Sequence, residues 1–179
     1  MIKLKENNCK DGFLDKIKNL YEASFPIDER RDFQDIIKLL DDKKSPFEII
    51  AFIEDGEFSG FLSFWKWDDM RYFEHFAVEP SMRNGGRGAK YLCQAIADDC
   101  TPVILEVEPP VDEMARRRIG FYERNGLRLW NDLYYLQPAY GEGRSPLELK
   151  LMTVGEISFS GEDDEKILRI KREVYGQNL

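Results

Sequence analysis

Apolar residues first recur at a period of two, with Ile2 and Leu4 set between Lys3 and Lys5, which predicts a short strand. Over residues 11–23 the period becomes helical. Phe13, Leu14, Ile17, Leu20 and Tyr21 share a side, Asp11 is placed to cap, and Ser24-Phe25-Pro26 ends the run. A second helix is predicted over 29–40, with Phe33, Ile36, Ile37 and Leu40 on one face, before a polar turn at 41–46. Three apolar strands follow at 47–54, 58–67 and 70–78, joined by Asp55-Gly56 and Asp68-Asp69. A helix over 86–99 would turn Ala89, Leu92, Cys93 and Ile96 inward. The compact strand 103–107 stops at Pro109-Pro110, and the helix 112–125 ends at Gly126, a natural left-handed residue. A long strand over 127–137 should bend at Asn131-Asp132, and 138–145 reads as a loop. Leu147, Leu149 and Leu151 then alternate with Glu148 and Lys150, and 162–175 closes the chain as a charged helix.

The order β-α-α-β-β-β-α-β-α-β-β puts three antiparallel strands before a βαβ crossover. It predicts an α/β fold with a mixed, mostly antiparallel sheet and helices on both faces. No repeat or linker interrupts the pattern, so residues 1–179 are expected to form a single domain.

Charge changes this picture in one respect. The chain carries a formal net charge of −8. An acidic surface argues against a nucleic-acid or membrane partner and suits a cationic substrate better. Cys9, Cys93 and Cys100 lack metal-site spacing and cannot all pair with one another, so no metal is expected. Cys93 is expected to be a small buried residue of its helix. Reduced thiols, with no signal peptide and no apolar stretch of membrane-spanning length, point to the cytoplasm.

Against that acidic background, Arg83, Arg87 and Lys90 form a basic island around Arg83-Asn84-Gly85-Gly86-Arg87-Gly88-Ala89. A glycine turn opening a helix presents free N–H groups at the positive end of the helix dipole, a seat for phosphate. The turn is neither a nucleotide P-loop, lacking the terminal Gly-Lys-Ser/Thr, nor a dinucleotide fingerprint, since Tyr91 stands where glycine is needed.

The turn, followed by Leu105-Glu106-Val107 and then by Phe121-Tyr122-Glu123-Arg124-Asn125-Gly126-Leu127, resembles the GNAT-type N-acetyltransferases. That resemblance implies transfer of an acetyl group from acetyl-CoA to a primary amine. The pyrophosphate would lie on the N–H groups of about 84–89 with Arg83 and Arg87 adding charge. The pantetheine arm would run beside Phe76, Ala77 and Val78, with the Val78 N–H facing the thioester carbonyl, and Tyr122 would protonate the departing thiolate. The asparagine that the family often carries seven residues before this tyrosine is replaced by Ala115, leaving its contact absent or taken over by Arg116 or a neighbouring arginine. Candidate bases are Glu74 first, then His75 and Glu106. Strand alternation sets Glu74 with Tyr72, Phe76 and Val78, opposite His75. Phe25, Glu29, Arg30, Tyr72 and Tyr140 are expected to border the acceptor, with Trp65 and Trp67 on the sheet beside them. The acceptor could be a metabolite amine or a peptide amine, including a protein lysine or N-terminus. A noncatalytic acyl-CoA-binding module of the same fold, and a homodimer, stay open.

Overall fold

In the computed structural model, which describes residues 1–5 and 11–179, the three central strands form the predicted meander. They are β2 (Phe47–Glu54), β3 (Glu57–Lys66) and β4 (Arg71–Val78). The β2–β3 hairpin turns on Asp55 and Gly56, both at positive φ (50° and 82°). Outside β2 lies β1 (Ile2–Lys3). On the other flank β4 pairs in parallel with β5 (Val103–Val107), which pairs antiparallel with β8 (Leu147–Val154). The predicted strand 127–137 divides into β6 (Arg128–Leu129) and β7 (Tyr135–Gln137), and both pair with β8. The sheet order is β1-β2-β3-β4-β5-β8-β6, with β7 beside β6 on the edge of β8.

Helices cover both faces. On one, α1 (Asp11–Ser24) and α2 (Phe33–Asp41) pack with the C-terminal α5 (Glu165–Arg169) over Phe61, Trp65, Tyr72 and Ile104. On the other, α3 (Arg87–Ala97) and α4 (Glu113–Arg124) cover Phe64, Phe73, Leu105 and Met152. Arg71 is buried at the start of β4. Its guanidinium donates to the carbonyls of Ala95, Ile96, Asp99 and Thr101, closing the C-terminal end of α3.

Two helix starts and one buried face also differ from the sequence expectation. The helix predicted from residue 29 starts at Phe33. Residues Ile27–Glu29 make a single 3-10 turn, and Arg30 is extended, with its neighbour Arg31 held by the Tyr21 hydroxyl through both backbone N–H and carbonyl. The C-terminal helix begins at Glu165, capped by Asp164, and widens into a π-type turn over Ile170–Val174, so that it buries Ile167, Ile170, Val174 and Tyr175. In α3 the buried stripe is Tyr91, Leu92 and Ala95, with Tyr91 stacked on Phe52 at 4.5 Å. Cys93 is therefore exposed rather than buried. Cys9 lies outside the described residues. Gly126 takes the expected left-handed conformation (φ 89°) after α4.

One irregularity governs the site. Ser63 of β3 faces His75, but Phe64 faces Phe73, so Glu74 is an extra residue in β4. Such a bulge breaks the alternation of side chains. Glu74 and His75 both point toward α1 and α2, with Tyr72, whereas Phe76 and Val78 belong to the opposite face. The expectation of opposite faces for Glu74 and His75 is thus corrected. Pairing of β4 with β5 ends at Phe73–Leu105, immediately before the bulge.

A cleft between the splayed strands

Beyond Phe73 the two strands part, and a cleft of about 1050 Å³ opens between them. Its walls are the free edge of β4, the end of β5, the start of α3, the inner side of α4 and the linker between α1 and α2. The cleft gathers residues from most of the predicted site.

At one end Asn84 and Gly86 are left-handed (φ 65° and 74°), which curls the chain so that α3 begins with no side chain capping its first N–H groups. Asn84, Gly86, Gly88 and Ala89 line this end, with Arg83 beside them. Gly85 and Arg87 belong to the same turn. Arg83 Nε donates to the Val78 carbonyl at 2.9 Å. The chemistry is that of an anion seat, and an uncapped helix start with arginines beside it suits a phosphate group. Nothing in the packing demands glycine at 88: a Cβ there would lie 3.6 Å from the Phe121 ring, an ordinary contact. Ala115, at the position where the family often has asparagine, is buried on the inner face of α4 and its N–H is bonded to Asp112. Arg116 reaches the Pro110 carbonyl, while Arg118 pairs with Glu108 at the cleft.

Along the middle runs the edge of β4. The Glu79 N–H donates to Ser59 across the β3 side at 2.9 Å. By the alternation of an antiparallel strand, the N–H and carbonyl of Val78 face the other way, toward the cleft, as do those of Phe76. Tyr122 stands opposite on α4, half-buried, its hydroxyl pushed up to about 12 by burial against a smaller lowering by Arg118.

The third region is a hydrogen-bonded network at the far end of the cleft, around Glu74 and Glu106. Glu106 of β5 accepts from Tyr135 on one oxygen and from Tyr175 on the other, the latter at 2.9 Å. Because Tyr175 donates to Glu106, its oxygen accepts from Tyr72 at 2.9 Å. Tyr140 donates to Glu74 at 3.0 Å. Glu74 also takes the Trp65 indole N–H at 2.9 Å and an ion pair with Arg31. Burial alone would raise the Glu74 carboxyl, but Arg31 and these donors hold it below the usual range. Among the described residues Glu106 has no such cation. Burial, with the like charge of Glu74, lifts it to about 7 despite its tyrosine donors.

His75 is spoken for. Its Nε2 meets the Glu29 carbonyl at 2.9 Å and so carries the proton, which leaves Nδ1 to accept from the Ser63 hydroxyl at 3.2 Å. Burial also lowers its basicity. The imidazole fixes the α1–α2 linker against the sheet, and Phe25 and Glu29 of that linker line the cleft with Tyr140. Arg30 and Tyr72 do not line it. Arg30 lies over the Tyr21 ring, and Tyr72 is buried beneath the cleft as a member of the tyrosine network. Trp65 supports Glu74 from below, and Trp67 bonds Glu173. The sequence reading missed Arg31, Tyr135, Gln137 and Tyr175. Only Arg31, next to the residue singled out, carried any local signal.

The model of the acetyltransferase (GNAT) family matches residues 14–127. A putative GNAT-family acetyltransferase from Bacteroides thetaiotaomicron has 32% identity to this chain and a TM-score of 0.90, the match covering 99% of this chain and 100% of that one. Two more distant structures share the fold. The ribosomal-protein-alanine N-acetyltransferase of Brucella melitensis is 15% identical (TM-score 0.61, 86% and 98% covered). An aminoglycoside 6'-N-acetyltransferase complexed with coenzyme A is also 15% identical (TM-score 0.55, 88% and 98% covered). No curated protein matches the sequence.

Proposed function

The chain belongs to the acetyltransferase (GNAT) family, an acyltransferase family, and from that premise we propose that its cleft passes the acetyl group of acetyl-CoA directly to a primary amine. The observation that carries this reading is the meeting, in one cleft, of an uncapped helix start, a free strand edge, a protonated tyrosine and a carboxyl of near-neutral pKa. The first-turn N–H groups of α3, with Arg83 and Arg87, bind the pyrophosphate of acetyl-CoA. The exposed amides of Phe76 and Val78 take the pantetheine arm as an added strand, and the Val78 N–H stabilises the oxyanion formed when the amine attacks. Tyr122 then gives its proton to the departing thiolate.

Glu106 is the base this reading favours. Glu74 is held ionised by Arg31, and His75 already uses both ring nitrogens. Glu106 lines the cleft with a carboxyl near pH 7, where a general base works best. Glu74 is a positioning residue, fixing Tyr140 and adding a like charge to the burial that lifts Glu106. The acceptors named for the fold's neighbours range from ribosomal protein to aminoglycoside, so family membership leaves the amine to the chemistry of this cleft.

The test is acetyl-CoA-dependent release of free thiol across a panel of amines. Tyr122→Phe should keep acetyl-CoA affinity within about twofold while slowing turnover by roughly 10²-fold or more. Full turnover by that variant would remove Tyr122 from the mechanism, and no thiol release by wild type with any amine would overturn the reading.

A further inference from the structure

The acceptor end of the cleft contains a buried amide that the fold leaves incomplete. Gln137 follows Tyr135 by two positions in β7 and shares its face. Both are buried, while Leu136 between them is exposed. From that face Tyr135 reaches Glu106, and Gln137 lines the cleft with Tyr140. The Gln137 side chain is 3% exposed, and its Nε2 has no acceptor among the described residues. A buried NH2 group without an acceptor costs folding free energy, and methionine would fill the same space without that cost. A polar group of this kind is expected where a ligand completes it.

The neighbouring charges describe the rest of the occupant. Burial, then repulsion from Glu108, raises the Glu29 carboxyl on the linker. Arg118, paired with Glu108, offsets part of this repulsion, and an arriving cation relieves the rest. This charge suits an ammonium substrate, and Glu106 lines the same cleft as Gln137.

We infer that the acceptor is a primary amine bearing a hydroxyl or carbonyl oxygen close to its reactive nitrogen, and that Gln137 donates a hydrogen bond to that oxygen. The inference rests on the transferase reading above and narrows its acceptor. Amino sugars, amino alcohols and peptide N-termini meet the requirement. Aliphatic polyamines, which have no oxygen, do not.

The experiment compares wild type with Gln137→Met, using glucosamine, ethanolamine and alaninamide against putrescine and spermidine. Thiol release should favour at least one oxygen-bearing amine by about tenfold or more in kcat/KM, and the preference should vanish in Gln137→Met. Gln137→Met should also melt higher than wild type and bind acetyl-CoA unchanged. Thermal shifts by the same amines in the presence of coenzyme A read acceptor binding without turnover. A polyamine preference, a preference that survives in Gln137→Met, equal shifts or none, or a lower melting temperature for Gln137→Met would each overturn the inference. A protein that binds acetyl-CoA but fails these arms loses only the acceptor assignment. One that does not bind acetyl-CoA loses the transferase reading, and the melting comparison then decides on Gln137.

Discussion

Tyr175 donates its hydroxyl hydrogen to Glu106 at 2.9 Å, so the C-terminal segment is tied to the carboxyl that we propose as the base. Its own oxygen takes a hydrogen bond from Tyr72, which orients the group toward an ionised Glu106. Activity should therefore rise with pH as Glu106 ionises, with a midpoint near 7. Tyr175→Phe removes a donor to the carboxylate and should move that midpoint upward. Glu74→Gln removes a like charge and should move it downward. Glu106→Gln should lower kcat/KM by roughly 10²–10⁴-fold and flatten this limb. The pH profiles of the four proteins decide it; equal midpoints in all but Glu106→Gln would break the link between the network and the base.

The same carboxyl has a signature in stability. Its folded pKa of about 7 lies above the ordinary value of 4.5, so between those limits the folded state holds a proton that the unfolded state has lost. Stability is greatest below 4.5 on this account and falls as pH rises toward 7, by roughly 3 kcal/mol at most. His75 works in the opposite sense. Buried neutral, it costs stability as pH falls from its ordinary 6.5 through its lower folded value. Urea midpoints across pH 4.5–7.5 should show the Glu106 component vanish in Glu106→Gln.

Breaking the Arg31–Glu74 pair strands a buried carboxylate. Arg31→Met should destabilise by about 3–5 kcal/mol, and Arg31→Met with Glu74→Gln should recover much of that loss. Denaturant midpoints of the single and double variants test the coupling. A double variant whose loss equals the sum of the singles would show that the two side chains act independently.

Gly88 separates packing from binding. In α3, alanine is favoured over glycine by roughly 0.5–1 kcal/mol, and the Phe121 ring leaves room for a methyl group. Gly88→Ala should hold or raise the melting temperature while weakening acetyl-CoA binding about tenfold or more, because the methyl stands where the phosphate must approach. Tight binding by this variant, measured calorimetrically, would move the anion seat elsewhere.

His75→Leu should leave acetyl-CoA affinity intact and raise the acceptor KM, since it frees the Glu29 carbonyl and the linker that carries Phe25. Stability should drop by about 1–3 kcal/mol through the orphaned Ser63 and Glu29 groups. An unaltered acceptor KM would mean that the linker does not shape the acceptor site.

Much of this was legible in the chain, and the failures share a cause. Apolar runs with their turn residues identified the meander, helical apolar spacing identified α1, and Gly126 marked the end of α4, because these are local patterns. The glycine turn declared itself through residue type. The tyrosine–carboxylate network did so only in part: Glu74, Glu106, Tyr72 and Tyr140 stand out as candidates, but Tyr175 looks ordinary where it stands and meets Glu106 across 69 positions. Cys93 was misread because α3 is rotated to stack Tyr91 on Phe52, a choice made by the sheet and invisible in the helix. The start of α2 departs from expectation for a similar reason, as a tyrosine hydroxyl from α1 holds the Arg31 backbone beside the extended Arg30.

The bulge at Glu74 also bears on chain length. Phe73 and His75 already point to opposite faces, so Glu74 is the residue of β4 whose removal would leave the facing of those on either side unchanged. A related chain with a gap here could keep every other side chain of the strand in place and close the ladder where this one parts. Such a gap would look trivial in a comparison of sequences, yet it should mark a relative in which the cleft between β4 and β5 has been lost.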